Sequence, residues 1–175
     1  HNSGIVHAGL YYVPGSLKAQ LCRAGAATLR EKCSEWEIPV IRRGKLVVAA
    51  SEAELERLAE LERRGHENGI EGLQVLDGDE LRQIEPDVRG VRALHVPETS
   101  VIDFKLVAAR LADELRARGV EIRFGARVVG IEARTEHARV QTTTGDVEAY
   151  ALVACAGLQS DRLAERAVAS PRGRT

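Results

Sequence analysis

The sequence predicts an α/β or α+β fold, and three observations predict it. Helical and strand patterns alternate at short spacing along the 175 residues. Apolar residues make up 44% and charged residues 29%, the balance of an ordinary globular chain. Neither an internal repeat nor a low-complexity linker interrupts the alternation. Other classes are disfavoured on the same grounds. No apolar run approaches the roughly 20 residues that cross a bilayer as a helix. A net charge of -1 argues against a nucleic-acid surface, which shows as clustered excess Lys and Arg. Cys22, Cys33 and Cys155 form no C-x-x-C pair, which speaks against a disulfide scaffold or a zinc module and for reduced, cytosolic-type thiols. The chain contains no methionine and opens abruptly at His1, so it reads as an internal fragment.

The elements follow in order. Ser16 caps a helix over Leu17–Glu35, because its hydroxyl can accept from an orphan amide of the first turn. Leu17, Leu21, Leu29, Cys33 and Trp36 fall on one stripe, and Pro39 stops any continuation. Ile41–Ala50 reads as a strand with Leu46, Val47 and Val48 as its buried run. Ser51 and Glu54 have the spacing of a capping box for a helix carrying Leu55, Leu58 and Leu61, which ends at Gly65 or Gly69. The charged run from Glu52 to Arg64 is its solvated face. Leu73–Leu76 is a short strand. Asp77-Gly78-Asp79-Glu80 caps a brief helix through Ile84, and Glu85-Pro86 closes it, since a residue before proline disfavours the α region. Val91–Val96 is a further strand, and the expectation is one sheet formed by 41–49, 73–76 and 91–97, with helices on one face.

Asp103 caps a helix carrying Phe104, Val107, Leu111 and Leu115, and Gly119 follows its basic last turn. Val120, Ile122 and Phe124 then alternate with charged residues. Val128–Ala133, Ala138–Thr144 and Val147–Cys155 read as strands, with a turn at Thr144-Gly145-Asp146. The last residues, 168–175, read as a disordered tail.

Three segments have the composition of a site. In His1-Asn2-Ser3-Gly4-Ile5-Val6-His7-Ala8-Gly9-Leu10-Tyr11-Tyr12, Gly4 and Gly9 let backbone approach a flat ligand. Asn2 and Ser3 add short donors and acceptors, and two histidines flank them. The alternative is an ordinary polar turn. In Ala151–Leu163, a buried strand runs through Ala156-Gly157 into a helix, a geometry that aims amides at an anion. The alternative is a junction that needs glycine only for its turn. Arg42, Arg43 and Lys45 offer cations to a carboxylate, or are simply exposed strand-edge charges. Cys22 and Cys33 read as core, and His95 as a structural histidine without companion metal ligands.

Together these segments resemble a known family. The stretch from His1 to Ala19 is similar to the signature of FAD-dependent L-2-hydroxyglutarate oxidases/dehydrogenases, within the D-amino-acid-oxidase-like flavoproteins. Gly44-Lys45-Leu46-Val47-Val48-Ala49, Glu85-Pro86, Ala93-Leu94-His95-Val96-Pro97 and Cys155-Ala156-Gly157-Leu158-Gln159-Ser160-Asp161 resemble the family in the same order. The similarity covers roughly residues 1–165. The chain departs from the pattern at Ser100, where the family usually has glycine, and after about Ala167. No G-x-G-x-x-G dinucleotide fingerprint occurs in it.

The resemblance implies a truncated flavoprotein fold of the D-amino-acid-oxidase type, with a mixed-sheet substrate domain and part of an FAD domain. Residues 1–35 would be the flavin-contacting loop and helix, 36–118 mainly the substrate-binding domain, and 119–167 a returning part of the FAD domain. It further implies FAD as cofactor and oxidation of L-2-hydroxyglutarate to 2-oxoglutarate by hydride transfer to the flavin. His7 would be the base. His1, Asn2, Ser3, Gly4, Val128, Ala156 and Gly157 would meet the cofactor. Arg43 and Lys45, chosen for their charge, would meet a carboxylate of the small 2-hydroxy dicarboxylate substrate. The electron acceptor, oxygen or quinone, stays open, and nucleic acid is not expected. The expected location is cytoplasmic, with peripheral attachment of the full-length enzyme at the inner membrane. Two other readings stay open: a same-fold oxidoreductase for an amino acid or glycerol phosphate, and a truncated, non-catalytic module.

Overall fold

The computed structural model describes residues 2–133 and 136–168. The chain divides into two compact units, 1–117 and 118–175. It is α+β, and every strand pairing among the described residues is antiparallel, where a mixed sheet was expected.

In the first unit, β1 (Ile5–Val6) leads through an irregular loop to α1 (Leu17–Glu35). The Ser16 hydroxyl accepts from the Ala19 amide at 3.3 Å, so the helix starts where the cap dictates. It stops before Pro39 is reached. Glu37 takes the left-handed conformation at φ 56°, while the Ile38 amide donates to the Cys33 carbonyl at 2.8 Å and the Glu37 amide to the Ser34 carbonyl at 3.2 Å. This is a Schellman closure, and its apolar partners Cys33 and Ile38 are both buried. The stripe expected on this helix holds only in its second half. Cys33 is buried, but Leu17 and Leu21 are 72% and 67% exposed, and the first half buries Ala19 instead.

The strand expected over Ile41–Ala50 is two strands in two sheets. β2 (Ile41–Arg42) pairs with β6 (Ser100–Val101), which also pairs with β1. β3 (Leu46–Ala49) pairs with β5 (Arg92–His95), which carries β4 (Gln74–Asp77) on its other side. The expected single sheet is therefore present for 46–49, 74–77 and 92–95, and residues 41–42 leave it. The break is at Gly44, whose φ of +70° suits glycine and where a Cβ would stand 2.6 Å from His95 Nε2.

α2 (Leu55–Glu67) follows a 3₁₀ turn at Glu52–Glu54. The expected capping box does not form. Ser51 makes no side-chain cap, and the Glu54 carboxylate accepts from the Ala50 amide at 2.7 Å, one residue short of the box partner. Of the two candidate stops, Gly69 at φ +71° terminates the helix. Gly65 lies inside it, buried against Leu73 and Leu10. A Cβ there would stand 2.5 Å from Leu73 Cδ1 and 3.0 Å from Leu10 Cδ1. Gly65→Ala should therefore lose about 1–3 kcal/mol to overpacking, despite alanine's better helix propensity. Urea unfolding of the two chains checks this, and an unchanged or raised midpoint would refute it.

α3 (Gly78–Ile84) carries a complete capping box between Asp77 and Glu80, and Glu85 closes it as expected. In α4 (Phe104–Ala117), Val107 is buried, whereas Leu111 and Leu115 are more than 40% exposed. The Asp103 carboxylate accepts from the Lys105 amide at 2.8 Å at its start.

One core cluster gathers Ala8, Leu10, Ala49, Leu58, Leu94 and Val96 between α2 and the β3–β5–β4 sheet. A second gathers Val6, Ala26, Cys33, Ile38, Ile102 and Val107. Burying side chains such as Leu10 and Leu94, each 1% exposed or less, contributes about 1.5–3 kcal/mol apiece. Burial also pushes the Cys33 thiol up, which keeps it protonated and unreactive.

The second unit contains β7 (Val128–Ala133), β8 (Ala138–Thr142) and β9 (Val147–Ala149) in one meander, then α5 (Ser160–Val168). No strand forms over Val120–Phe124, and Phe124 is 77% exposed. The strand expected through Cys155 ends at Ala149. Residues 151–155 are exposed and pair with no strand among the described residues, so the buried strand expected there is absent. The tail expected at 168–175 lies, beyond Val168, outside the described residues. No helix among the described residues is long and apolar enough to cross a membrane.

Candidate functional site

The site is built on the segment from Asn2 to Tyr12. Val6, Ala8 and Leu10 are buried at alternate positions, which is the period of extended chain, so His7 between them points outward and is exposed. Before the strand, the Asn2 side chain accepts from the Gly4 amide at 3.0 Å, and Ser3 Oγ from the Ile5 amide at 3.3 Å. Gly4 sits at φ +73° and its carbonyl accepts from the Ile102 amide at 3.0 Å, which fixes this turn to the start of α4. After the strand, Asn68 at the end of α2 donates to the carbonyls of Gly9 at 3.2 Å and Tyr12 at 2.9 Å. Cys22 donates to the His7 carbonyl at 3.6 Å from α1. The loop is thus held from two helices while the His7 side chain stays exposed.

Two clefts lie at the two ends of β1. One, of about 780 Å³, borders Asn2 and Gly4 and has Ile41, Val101, Ile102 and Phe104 among its walls. The other, of about 110 Å³, is formed by His7, Gly9, Leu10, Tyr11, Tyr12 and Lys45. Lys45 reaches it because its backbone is clamped by two hydrogen bonds to Val96, at 3.1 and 2.8 Å, directly after the Gly44 turn. Its ammonium stands 4.3 Å from the centroid of the Tyr11 ring. Among the described residues it pairs with no carboxylate.

The sequence-read site residues distribute as follows. His7 and Lys45 share the small cleft, and Asn2 and Gly4 share the large one, with Ser3 in the turn between them. Arg43 is exposed and lines neither cleft, because the chain reverses at Gly44 between it and Lys45. His1 lies outside the described residues. Val128, Ala156 and Gly157 belong to the second unit. The Val128 carbonyl accepts from Arg166 at 2.7 Å. Gly157 is exposed at φ +58°, with open space where a Cβ would be. Tyr11 and Asn68 were missed by sequence reasoning. Tyr11 sits inside the signature stretch, so position alone could have flagged it. Asn68 reads in sequence only as part of a helix stop.

The fold is that of FAD-binding flavoproteins of the D-amino-acid-oxidase type. Glycine oxidase from Geobacillus kaustophilus matches with a TM-score of 0.82 over 94% of this chain and 46% of its own, at 22% identity, a likeness of fold. L-alpha-glycerophosphate oxidase from Mycoplasma pneumoniae, solved with FAD bound, matches with a TM-score of 0.82 at 28% identity, over 95% of this chain and 46% of its own.

The chain belongs to the FAD dependent oxidoreductase (DAO) family, whose pattern matches residues 1–174. Among its relatives are the L-2-hydroxyglutarate dehydrogenases of Indibacter alkaliphilus, 39% identical over 94% of this chain, and of Escherichia coli K12, 40% identical over 93%. The mitochondrial L-2-hydroxyglutarate dehydrogenase of Mus musculus is 37% identical over 98%. The chain spans about two fifths of the length of these relatives.

FAD is the cofactor of the family, and the first unit offers features that fit it. The large cleft is walled mainly by apolar side chains, with Asp103 and Lys105 also lining it, and is bordered by a turn whose Gly4 presents no side chain, which suits a flat ring with polar edges. In the second unit, open space at Gly157 leaves backbone accessible to a phosphate or sugar.

Proposed function

We propose that this chain is the flavin-loop and substrate-binding segment of an FAD-dependent enzyme that oxidises L-2-hydroxyglutarate to 2-oxoglutarate. One observation carries the reading: His7, in the stretch that resembles the family signature, shares one small cleft with Lys45, which pairs with no carboxylate among the described residues. The names of the relatives support the substrate.

In this reading Lys45 binds a substrate carboxylate, which orients the molecule with its C2 hydroxyl towards His7. A neutral imidazole accepts the hydroxyl proton at a ring nitrogen as the C2–H bond breaks and the carbonyl forms. FAD, when bound, supplies the acceptor for the hydride that leaves C2. In the first unit Asn2, Ser3 and Gly4 are the candidates to hold it; in the second, taken by itself, the candidates are Val128, Ala156 and Gly157. Asn68 keeps the Gly9–Tyr12 loop in place, which positions His7 without touching the reacting atoms. The full-length enzyme is read as cytoplasmic, attached peripherally to a membrane.

The test is anaerobic reduction of the FAD-loaded, full-length enzyme by L-2-hydroxyglutarate, glycerol 3-phosphate and glycine in parallel. The expected result is bleaching of the flavin by L-2-hydroxyglutarate with a kcat/KM at least about 10²-fold above the other two, because its second carboxylate is matched by the Lys45 ammonium in the small cleft. Faster reduction by glycerol 3-phosphate or glycine would replace the substrate assignment. No reduction by any of the three would favour the non-catalytic reading.

A further inference from the structure

Tyr11 stands between two clefts. On one side is the small cleft with His7 and Lys45. On the other is a second cleft of about 240 Å³, whose walls include Val47, Val48, Leu58 and Leu61, with Glu54 and Arg57 also lining it. Tyr11, 54% exposed, lines both. The walls of the second cleft are mainly aliphatic, with Arg57 and Glu54, whose carboxylate accepts from the Ala50 amide, beside them. The ring also faces the Lys45 ammonium at 4.3 Å, a cation–π arrangement. A flexible lysine side chain is costly to order. A ring face that holds the ammonium in place reduces that cost at the moment an anion binds.

We propose that Tyr11 is a specificity-determining residue. Its ring fixes the Lys45 ammonium for the distal carboxylate of a dicarboxylic 2-hydroxy acid, and it closes off the aliphatic cleft that would take a longer, uncharged side chain. The inference rests on the function proposed above. Two features argue for it. The cleft of about 110 Å³ is smaller than the roughly 300–1,000 Å³ that enclose a drug-sized ligand, so it suits one short arm of a small acid. The lysine is the cation there, since Arg43 lines neither this cleft nor its neighbour.

The experiment uses the FAD-loaded full-length enzyme and its Lys45→Met, Arg43→Met, Tyr11→Phe and Tyr11→Ala variants. Two readouts are taken: the Kd for glutarate by calorimetry, and kcat and KM for L-2-hydroxyglutarate and L-2-hydroxyhexanoate. Lys45→Met is expected to weaken glutarate binding about 10- to 100-fold and to raise KM in step. Tyr11→Ala is expected to weaken glutarate binding about three- to tenfold and to shift preference towards L-2-hydroxyhexanoate. Tyr11→Phe, which keeps the ring face, should restore most of both losses. A Lys45→Met variant that binds glutarate within twofold of the parent overturns the proposal, as does a larger loss in Arg43→Met. A Tyr11→Ala variant with unchanged preference overturns the closing off of the aliphatic cleft. Turnover of L-2-hydroxyglutarate by the unsubstituted enzyme tests the function separately: if that fails, the glutarate affinities still decide whether Lys45 and Tyr11 form a carboxylate site.

Discussion

His7→Ala, introduced into the full-length FAD-loaded enzyme, should lower kcat by about 10²–10⁴-fold, the usual scale of general acid–base catalysis. FAD content should stay near that of the parent, because His7 borders the small cleft and not the large one beside Asn2 and Gly4. The geometry sharpens the contrast with a packing role. His7 is exposed, and its recorded hydrogen bond is through its backbone carbonyl, from Cys22 at 3.6 Å, which alanine keeps. Substitution therefore removes the imidazole and leaves the loop anchored by Asn68 and by buried Ala8 and Leu10. If the histidine only packs, turnover per bound flavin hardly changes and thermal stability falls instead. Measuring kcat per mole of bound FAD separates the two, and a loss below about threefold rules out the base.

What could be read in advance divides by the range of the interaction. Local chemistry was legible. Ser16 starts α1, and Asp77 with Glu80 brackets the start of α3, because a cap needs only residues three apart. The likeness of the His1–Ala19 stretch to the family was legible too, because it lies in consecutive residues. Partners were not. Ile41–Ala50 has the composition of one strand, but Gly44 turns back against His95, 51 positions away, and divides it between two sheets. Ser51 has the sequence of a capping box, yet the Glu54 carboxylate finds the Ala50 amide first. Leu17 and Leu21 share a helical stripe with Cys33, and only the last is covered in the unit.

The site divides in the same way. Charge singled out Arg43 and Lys45 equally, two residues apart. The Gly44 turn and the ring of Tyr11, 34 positions from Lys45, separate them. Neither is visible as a pattern in the sequence. Asn68 is the clearest case: its type and position announce a helix end, while its contribution is two side-chain hydrogen bonds to a loop 56 and 59 residues earlier.

The 175-residue chain alone should retain less than about a tenth of an equivalent of FAD through purification, although it carries residues that fit the cofactor. The pyrophosphate is the most strongly charged part of FAD, and its usual cradle is a glycine-rich turn opening a helix, whose amides and dipole supply the binding energy. No G-x-G-x-x-G exists in this sequence to provide one. The nearest substitute, the junction at Ala156-Gly157, is a 3₁₀ turn followed by a nine-residue helix. It is preceded by residues 151–155, which are exposed and pair with no strand among the described residues, so nothing on that side holds the turn against a ligand. Each lost phosphate interaction of the charge-assisted kind costs about 1.5–3 kcal/mol, enough in pairs to move affinity by more than a hundredfold. Absorbance at 450 nm against 280 nm on the purified chain, with calorimetric titration of added FAD, measures this directly. A yellow protein near one equivalent would overturn this and would move the pyrophosphate site onto residues of this chain.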